Sequence, residues 1–595
     1  MRSKHTDTYW TILNVLPTPN PLWRDVTNTE EIERKLIERN RMHLEQTARE
    51  QGISTHPPFT QLRENQGFNA LSTRVLNGEE ITDYELTPET ATFFAALKRT
   101  DKDRALSPVL GIISSTEVQE MFKLAKERTS SDPRTPNYSI WKCLARSDKV
   151  AGLLSILFSL PFVYGFPNEH WTHMTNFMLE KKPGVRHIHQ LRIIGKLAAE
   201  FNTCLKLLIG KWARDNFEAT DACDEQHGFR PNHSAPDAMM LKLLTFESAW
   251  MQKYTLGLLQ HDMTAHFDRM YPEVTAITAT KYGVSEQVMQ SIGCTIALLR
   301  QNVETSLGLS TNMYSQEPEA PRIGGMVQGK VDVPQLATQQ SDIMLKAHRN
   351  LTYGVHIISP ALHRKIKHHS IAFADDTEGQ VSSETTEEIS APRVVKQLQH
   401  SGQTWSNLAN ICGGLIAHHK CCWQFMSWEN KSGHLVLHES APEKVVLQDG
   451  KGAHVEIKYL PPDEPNVGLG FNLCISGIQT PHFNATMEKM RIICTAAATA
   501  HLTETEMRSL VLSTRLLPKL AYALHGTTFS KKQCNSINSL IRPSILPQLR
   551  LNRHYPSALL YGPIDYGGME FPDAYTLQDK FRLIISSNNY DGTRW

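Results

Sequence analysis

The chain has 595 residues, which is too long for one hydrophobic core and predicts several units of roughly 100 to 200 residues each. No apolar run is long enough to span a bilayer, and no secretory hydrophobic segment follows the first residues. We therefore expect an intracellular protein, in the cytoplasm, the nucleus or both, without a membrane partner. Ten cysteines without regular spacing favour a reducing compartment and argue against a disulfide framework.

Charge is balanced overall but segregated along the chain. The sequence has 62 Lys and Arg against 61 Asp and Glu. Residues 178–214 nevertheless contain eight basic residues and two acidic ones, and residues 487–555 contain ten and three. Two such stretches are typical of the walls of a cleft that binds a nucleic-acid duplex by neutralising phosphates. Two solvated helical faces are the alternative.

The first 150 residues are predicted to be mainly helical. A turn-rich segment, Pro17–Pro21, precedes a helix expected from Glu30 to Glu50, with an N-cap cluster at 27–29. We expect this helix to pack along one face and assign it no chemistry. That face comprises Ile32, Leu36, Leu44 and Ala48. A second helix is predicted from Thr116 to Arg128, before a linker at 129–137.

Further helices are predicted along the chain. The apolar segment 152–164 is interpreted as a buried helix that ends at Pro161, and helices are expected to dominate 190–255. Within Ala235–Met251, the apolar positions are interpreted as core: 239, 240, 243, 244, 246 and 250.

After residue 380, an acidic segment, 384–388, is expected to be a solvated loop. A helix from Ala391 to Asn410 should end at Gly413-Gly414. Short strands are predicted at 435–437 and 455–457. A helical region, 483–555, is expected to be interrupted at Pro518 and Pro543.

The most informative pattern is Phe373-Ala374-Asp375-Asp376. An apolar strand, 370–374, precedes it, and 377–380 is typical of the return strand of a tight hairpin. Two buried carboxylates at such a turn are costly unless they are hydrated or compensated by a divalent cation. A solvated Asp-Asp turn is the alternative.

A third carboxylate, Asp262, ends another apolar run, 254–259. Aspartates from different strands that hold two hard cations are a known device for in-line attack of a hydroxyl on a phosphate. Between the acidic sites lies Gly325-Met326-Val327-Gln328-Gly329, whose glycines allow close approach of a backbone to a ligand. The order of acid, Gly/Gln loop and acid pair is typical of a polymerase palm.

These motifs resemble those of reverse transcriptases of the non-LTR retrotransposon type, over about residues 170 to 480. Asp262, Phe267 and Asp268 are similar to the family's D-x-x-x-A-F-D motif, with His266 in place of Ala. Two further matches are G-x-x-Q-G-x-x-x-x-P-x-L, from Gly325 to Leu336, and [YF]-A-D-D, from Phe373 to Asp376.

Weaker similarities flank these motifs. The family's Q-x-G-F-R segment resembles Gln226–Arg230, and its first fingers strands resemble 178–182 and 192–196, although R-P-I-S is reduced here to R-I-I-G. Gly413 to Lys420 is similar to the fourth palm motif, and 467–470 is similar to the primer grip.

The resemblance implies an α+β, right-hand polymerase with a helical N-terminal extension (1–150), fingers (151–255), palm (256–480), and thumb with C-terminal extension (481–595). It implies an RNA-directed DNA polymerase that uses an RNA template, a DNA primer or target, and deoxynucleoside triphosphates. The implied cofactor is Mg²⁺, with Mn²⁺ as a substitute.

The resemblance also implies residue roles. Asp262 and Asp375 would bridge two Mg²⁺ ions, with Asp376 as a supporting ligand, and Lys420 would protonate the leaving pyrophosphate. Nucleotide contacts are expected from Lys181 or Lys182, Arg192, Phe267, Gln328 and Gly329, with Phe267 as a steric gate against ribose. Primer and template contacts are expected from Gly228, Phe229, Arg230, Gly468, Leu469, Gly470, Lys489 and Arg491.

Two other functions stay open. An RNA-dependent RNA polymerase uses the same metal geometry, but that class would have Gly before Asp-Asp and a second motif based on Ser, Thr or Asn. A catalytically inactive RNA-binding scaffold can retain a polymerase fold.

Zinc at His418–Cys422 is disfavoured because the spacing lacks paired ligands. No endonuclease or ribonuclease H pattern accompanies the motifs, as expected for a fragment of a mobile element.

Overall fold

The computed structural model describes residues 10–13, 23–46, 57–181, 187–317, 323–358, 365–383, 390–438, 441–450, 452–525 and 527–580. Helices and several small sheets are combined in these ranges, in agreement with the predicted α+β class. Within the same ranges, none of the helices has the length and apolar character needed to cross a membrane. Four predicted features lie outside the described residues: Pro17–Pro21, Ala48, Lys182 and 384–388.

The central sheet lies in the middle of the chain and carries the predicted acidic motifs. Its strands, in spatial order, are Ser370–Phe373, Asp376–Ser382, Leu256–His261, Cys422–Lys431 and His434–His438, all antiparallel to their neighbours. A sixth strand, Lys458–Leu460, pairs in parallel with Cys422–Lys431. The strand predicted at 435–437 is therefore confirmed as part of this sheet.

The two faces of the central sheet are covered by different helices, because successive side chains of a strand point to opposite faces. Leu256, Leu258 and Ile371 pack with helix Ala235–Gln252 on one face. On the other face, the core includes Leu259 and Trp423. It joins helices Pro88–Leu97, Pro272–Lys281, Val333–Leu351 and Ser390–Ile411. The predicted helix 391–410 is confirmed.

A second, four-stranded sheet has the spatial order Leu191–Lys196, His173–Glu180, Arg300–Thr305 and Gly308–Leu309. The second and third strands are parallel, and the other pairs are antiparallel. This confirms the strand pair predicted at 178–182 and 192–196, although it falls within the region where helices were expected to dominate.

Four two-stranded pairs complete the strands. They are Trp10–Leu13 with Trp23–Val26, Val355–Ile358 with Lys365–His368, Val446–Gln448 with His454–Glu456, and Asn466–Gly468 with Phe471–Leu473. The strand predicted at 455–457 is confirmed one residue earlier.

The N-terminal helix Thr29–Leu44 starts as predicted, because Asn28 accepts a hydrogen bond from the backbone of Glu31 at 2.9 Å. It ends at Leu44, six residues before the predicted end. Its apolar face shares a core with the four-stranded sheet, through Ile32 and Leu36 against Met178 and Ile193. Residues of the first 150 also contribute to two other cores, so this region is packed into the rest of the molecule.

The remaining helices before the central sheet range from 3 to 17 residues in length. They are Phe59–Leu62, Glu64–Gly67, Ala70–Asn77, Asp101–Arg104, Ser115–Lys123, Tyr138–Leu144, Asp148–Tyr164, Glu169–Thr172, Ile188–Gln190, Ala199–Leu207, Leu208–Ala213 (a π-helix) and Arg214–Glu218. The helix predicted to reach Arg128 thus ends at Lys123, where Leu124 caps it.

Helix Asp148–Tyr164 differs from the prediction in two ways. It passes through Pro161 and ends at Gly165, whose φ is +73°. Pro161 is buried, and it is flanked in the core by Phe158 and Phe162. The helix is also not buried on all sides. One face is exposed at Leu153, Ile156, Leu157, Leu160 and Tyr164.

Helix Ala235–Gln252 buries only part of the predicted face. Met239 and Phe246 are buried as predicted, but Leu244 and Trp250 are about 40% exposed, and Lys242 is buried instead. The reason is an ion pair: Lys242 contacts Glu378, which lies on the central sheet beneath the acidic hairpin. A buried charge on the sheet therefore selects a helix face that carries a lysine.

The C-terminal region has its own core between Met490 and Ala574. Its helices are Thr480–Thr499, Glu504–Glu506, Met507–Leu516 (a π-helix), Leu517–His525, Lys531–Ile545, Pro547–Leu549, Ser557–Tyr561 and Ile564–Tyr566. The interruption predicted at Pro543 is wrong, because Pro543 lies inside the last turn of Lys531–Ile545. At Pro518 the helix changes type: the π-helix ends at Leu516, and the next helix begins at Leu517 with Pro518 as its second residue.

Candidate active site

Asp375 and Asp376 lie at a two-residue hairpin turn, as predicted. Phe373 pairs with Asp376, and Ala374 has a left-handed backbone with φ of +60°. The turn is supported by Gln226, whose Oε1 accepts from Ala374 N at 3.0 Å. A Cβ on Gly228 would lie 2.2 Å from Ala374 N, so only glycine allows this approach.

Asp262 lies beside this turn, directly after the end of the neighbouring strand Leu256–His261. The register pairs Thr377 with His261, so the next position places Asp376 opposite Asp262. The Asp262 carbonyl accepts from Ala417 N at 2.8 Å, which fixes the end of the strand. Lys420 Nζ lies 3.1 Å from Asp262 Oδ1. The structure therefore brings together the three predicted metal ligands and Lys420.

The three carboxylates interact electrostatically. Partial loss of surrounding water, together with the charges of Asp375 and Asp262, raises the pKa of Asp376 to about 6. Asp376 is nevertheless exposed to solvent. Carboxylate oxygens are the donors that Mg²⁺ prefers, and the pKa of Asp376 is raised first by loss of water and then by the two neighbouring carboxylates. The residues present thus fit a divalent cation.

The three carboxylates are not preassembled for a cation. In the ranges that the structure describes, no three His, Cys, Asp or Glu side chains are close enough to form a ready metal site. Ligation by Asp262, Asp375 and Asp376 would therefore require their side chains to turn toward the ion.

The Gly/Gln loop packs between the acidic strand and the four-stranded sheet. Met326 N donates to Phe267 O at 2.8 Å, and Gly195 N donates to Gln328 O at 2.8 Å. A Cβ on Gly325 would lie 2.5 Å from Asp268, and one on Gly329 would lie 2.7 Å from Gly195 O. The glycines therefore allow backbone–backbone contact, and Gln328 remains partly exposed at the rim of the site.

Phe267 is partly buried and packs against the core of the region that precedes the central sheet. Its ring centroid lies 5.6 Å from that of His266. Burial lowers the pKa of His266, while the charge of Asp375 opposes this shift. His266, which departs from the family motif, is thus a neighbour of the acidic turn.

Four basic side chains, Lys181, Arg39, Arg192 and Lys420, lie close enough to interact electrostatically. Partial loss of surrounding water lowers the pKa of Lys181, and repulsion from Arg39, Lys420 and Arg192 lowers it further. Lys181 and Arg192 were predicted to bind a triphosphate, and both are exposed. Arg39 was not predicted. It comes from the N-terminal helix and donates to Leu191 O at 2.6 Å.

The predicted primer and template residues form two groups. In the first, Gly228 is buried against the acidic turn and Phe229 is 47% exposed. Arg230 is held inside the protein, because its guanidinium contacts Glu218 at 2.8 Å and Cys223 O at 2.7 Å. Arg230 therefore has intramolecular partners that shape the loop.

The second group lies on and near the hairpin 466–473. Gly468 lies on the first strand, and Leu469 and Gly470 form the turn with φ of +49° and +84°. Lys489 Nζ donates to Gly470 O at 3.4 Å, and the exposed Arg491 pairs with Glu488. Lys489 thus connects the hairpin to helix Thr480–Thr499.

A scan of protein-family models and a search of curated proteins each found no match to this chain. Sequence reasoning missed Arg39 and His43, which approach the site from a helix more than two hundred residues away in the chain. No local pattern in that helix marks these two residues as parts of a site.

Proposed function

We propose that the protein is an RNA-directed DNA polymerase of the non-LTR retrotransposon type, which adds deoxynucleotides to a primer 3′ hydroxyl. The observation that carries the proposal is the meeting of Asp262, Asp375 and Asp376 at the ends of two adjacent antiparallel strands. In this proposal, the four-stranded sheet belongs to the fingers, the central sheet is the palm, and the C-terminal helices form the thumb.

Asp262 and Asp375 would hold two Mg²⁺ ions, with Asp376 as a supporting ligand. When bound, such ions activate a primer hydroxyl and neutralise the charge that develops on a transferred phosphoryl group. The ligands come from strand ends whose backbone is held by hydrogen bonds, so only their side chains would have to turn toward the ions. Gln226 accepts a hydrogen bond from the acidic turn at Ala374 N, and Gly228 packs against the same residue.

The other residues would position the nucleotide. Lys181 and Arg192, with Arg39 nearby, would attract the triphosphate, since their mutual repulsion favours an anion at this place. Gln328 would contact the sugar from the Gly/Gln loop. Lys420 would give its proton to the leaving pyrophosphate after moving away from Asp262.

Primer extension tests the proposal. Purified protein should extend a DNA primer on an RNA template with Mg²⁺, and Asp375→Asn should abolish extension while the circular dichroism spectrum stays unchanged. Extension of an RNA primer with ribonucleotides, measured in parallel, tests the RNA-polymerase alternative. Undiminished extension by Asp375→Asn would exclude the proposed site, and a wild-type protein that binds RNA but extends neither primer would favour the scaffold.

A further inference from the structure

The last turn of the N-terminal helix contacts both loops of the nucleotide site. His43 Nε2 lies 3.0 Å from Asp268 Oδ2. One residue later, Leu44 O accepts a hydrogen bond from Gly324 N at 2.8 Å. A single helical turn therefore contacts both Asp268, which follows Phe267, and Gly324, which precedes the Gly/Gln loop.

Asp268 is tightly enclosed on its other side. Its carboxylate side chain is 7% exposed, and a Cβ on Gly325 would lie 2.5 Å from its backbone. The preceding carbonyl, Phe267 O, accepts from Met326 N at 2.8 Å. The Phe267–Asp268 peptide is thus fixed between the Gly/Gln loop and His43, so a change at His43 is transmitted to the Phe267 ring.

The negative charge of Asp268 also attracts two neighbouring basic residues. Asp268 acts electrostatically on both Lys181 and Arg39. A buried carboxylate that loses its hydrogen-bond partner is strongly destabilised and turns toward other positive groups. His43 supplies that partner, and this leaves Lys181 and Arg39 for an anionic ligand.

We infer that His43 is a positioning residue that sets both nucleotide affinity and discrimination between deoxyribose and ribose, through its contact with Asp268. The inference depends on the proposed polymerase function, whose site it deepens. The substrate concerned is the incoming nucleoside triphosphate.

His43→Ala tests the inference, with Arg34→Ala as the matched control on an exposed position of the same helix. In primer extension, His43→Ala should raise the KM for deoxynucleotides by roughly tenfold, the size expected for loss of one hydrogen bond to a charged group. The kcat should change less, and the preference for deoxynucleotides over ribonucleotides should fall. His43→Gln, which keeps a side-chain donor, should restore most of both properties.

A second readout does not need activity. Amide hydrogen exchange should accelerate in segments 263–270 and 323–330 of His43→Ala and stay unchanged in Arg34→Ala. Unchanged exchange, or unchanged KM and sugar preference in an active enzyme, would overturn the role of His43. A wild-type protein without primer extension would overturn the polymerase proposal instead, and the exchange result would still decide whether His43 fixes these two loops.

Discussion

Lys420 Nζ and Asp262 Oδ1 are 3.1 Å apart, so the lysine contacts a carboxylate that the proposed cation also needs. Both side chains are substantially exposed, at 53% and 36%. Exposed ion pairs of this kind contribute roughly 0 to 1 kcal/mol. In the proposed enzyme, the pair would therefore open at little cost when a cation and a triphosphate enter, and the released lysine would then be free to act on the leaving group.

Lys420→Ala should separate these two effects. The Mg²⁺ concentration for half-maximal activity should fall by about two- to fivefold, because a competing cation is removed from Asp262. The turnover rate should fall by about 10² to 10⁴, the usual contribution of a general acid. Single-turnover extension over a Mg²⁺ titration measures both. Lys444→Ala, which removes an exposed pair with Glu456, is the control. Unchanged turnover would exclude the role of Lys420 as an acid.

The raised pKa of Asp376 predicts a specific dependence of stability on pH. The pKa rises from 3.8 to about 6 on folding, so the folded protein binds this proton more tightly than the unfolded chain. Asp376 therefore lowers the free energy of unfolding as pH rises through the window from about 4 to about 6, and the loss is complete above it.

Asp376→Asn removes this charge, so the metal-free variant should have a higher Tm than wild type near neutral pH and an equal Tm near pH 4. Added Mg²⁺ should raise the Tm of wild type more than that of the variant. Thermal unfolding of both proteins across this pH range measures the difference. A variant that is less stable at neutral pH would contradict the electrostatic account of the site.

Gly228 offers a steric test of the acidic turn. A Cβ there would lie 2.2 Å from Ala374 N, a backbone atom that cannot move without shifting Asp375. Gly228→Ala should reduce the free energy of unfolding by about 1–3 kcal/mol, as overpacking does. It should also reduce primer extension by more than the loss of folded protein accounts for.

Gly152→Ala is the matched control, because its Cβ would meet nothing within 4 Å and it lies inside helix Asp148–Tyr164. It should stabilise the protein by up to about 1 kcal/mol and leave extension unchanged. Chemical denaturation and primer extension of the two variants give the comparison. Equal effects of both substitutions would show that Gly228 does not support the turn.

Local sequence patterns predict the acidic hairpin and the Gly/Gln loop well, because turn chemistry and strand alternation act over a few residues. Asp375 and Asp376 lie at a turn for this reason, and Asn28 caps the N-terminal helix for the same reason. Asp262 lies opposite Asp376 because their two strands are neighbours in the sheet. The sequence predicted that these strands are neighbours only through the order of the motifs.

Long-range contacts explain the predictions that were wrong or missing. Pro161 was expected to end a helix, but burial of the flanking Phe158 and Phe162 offsets the lost hydrogen bond. The buried face of helix Ala235–Gln252 depends on Lys242, whose partner Glu378 is more than a hundred residues away. His43 was unassigned because only the folded chain places it beside Asp268.

Phe267 gives a test that separates DNA synthesis from RNA synthesis. Its ring is partly buried against a core cluster, and its carbonyl accepts a hydrogen bond from Met326 N at 2.8 Å, so its backbone is held beside the Gly/Gln loop. In the proposed enzyme, a ribose 2′ hydroxyl would meet this ring. A gate of this kind discriminates by a clash with the wrong substrate.

Phe267→Ala should therefore incorporate ribonucleotides far more readily than wild type, relative to deoxynucleotides, and should gain little with deoxynucleotides. Phe267→Tyr keeps the ring and should keep the discrimination. Single-nucleotide insertion with each substrate gives the ratio of kcat/KM values for all three proteins. Part of the ring packs against the core, so a thermal melt should accompany each variant. If wild type and Phe267→Ala discriminate equally, the gate assignment is wrong and an RNA polymerase becomes the better interpretation of the same carboxylates.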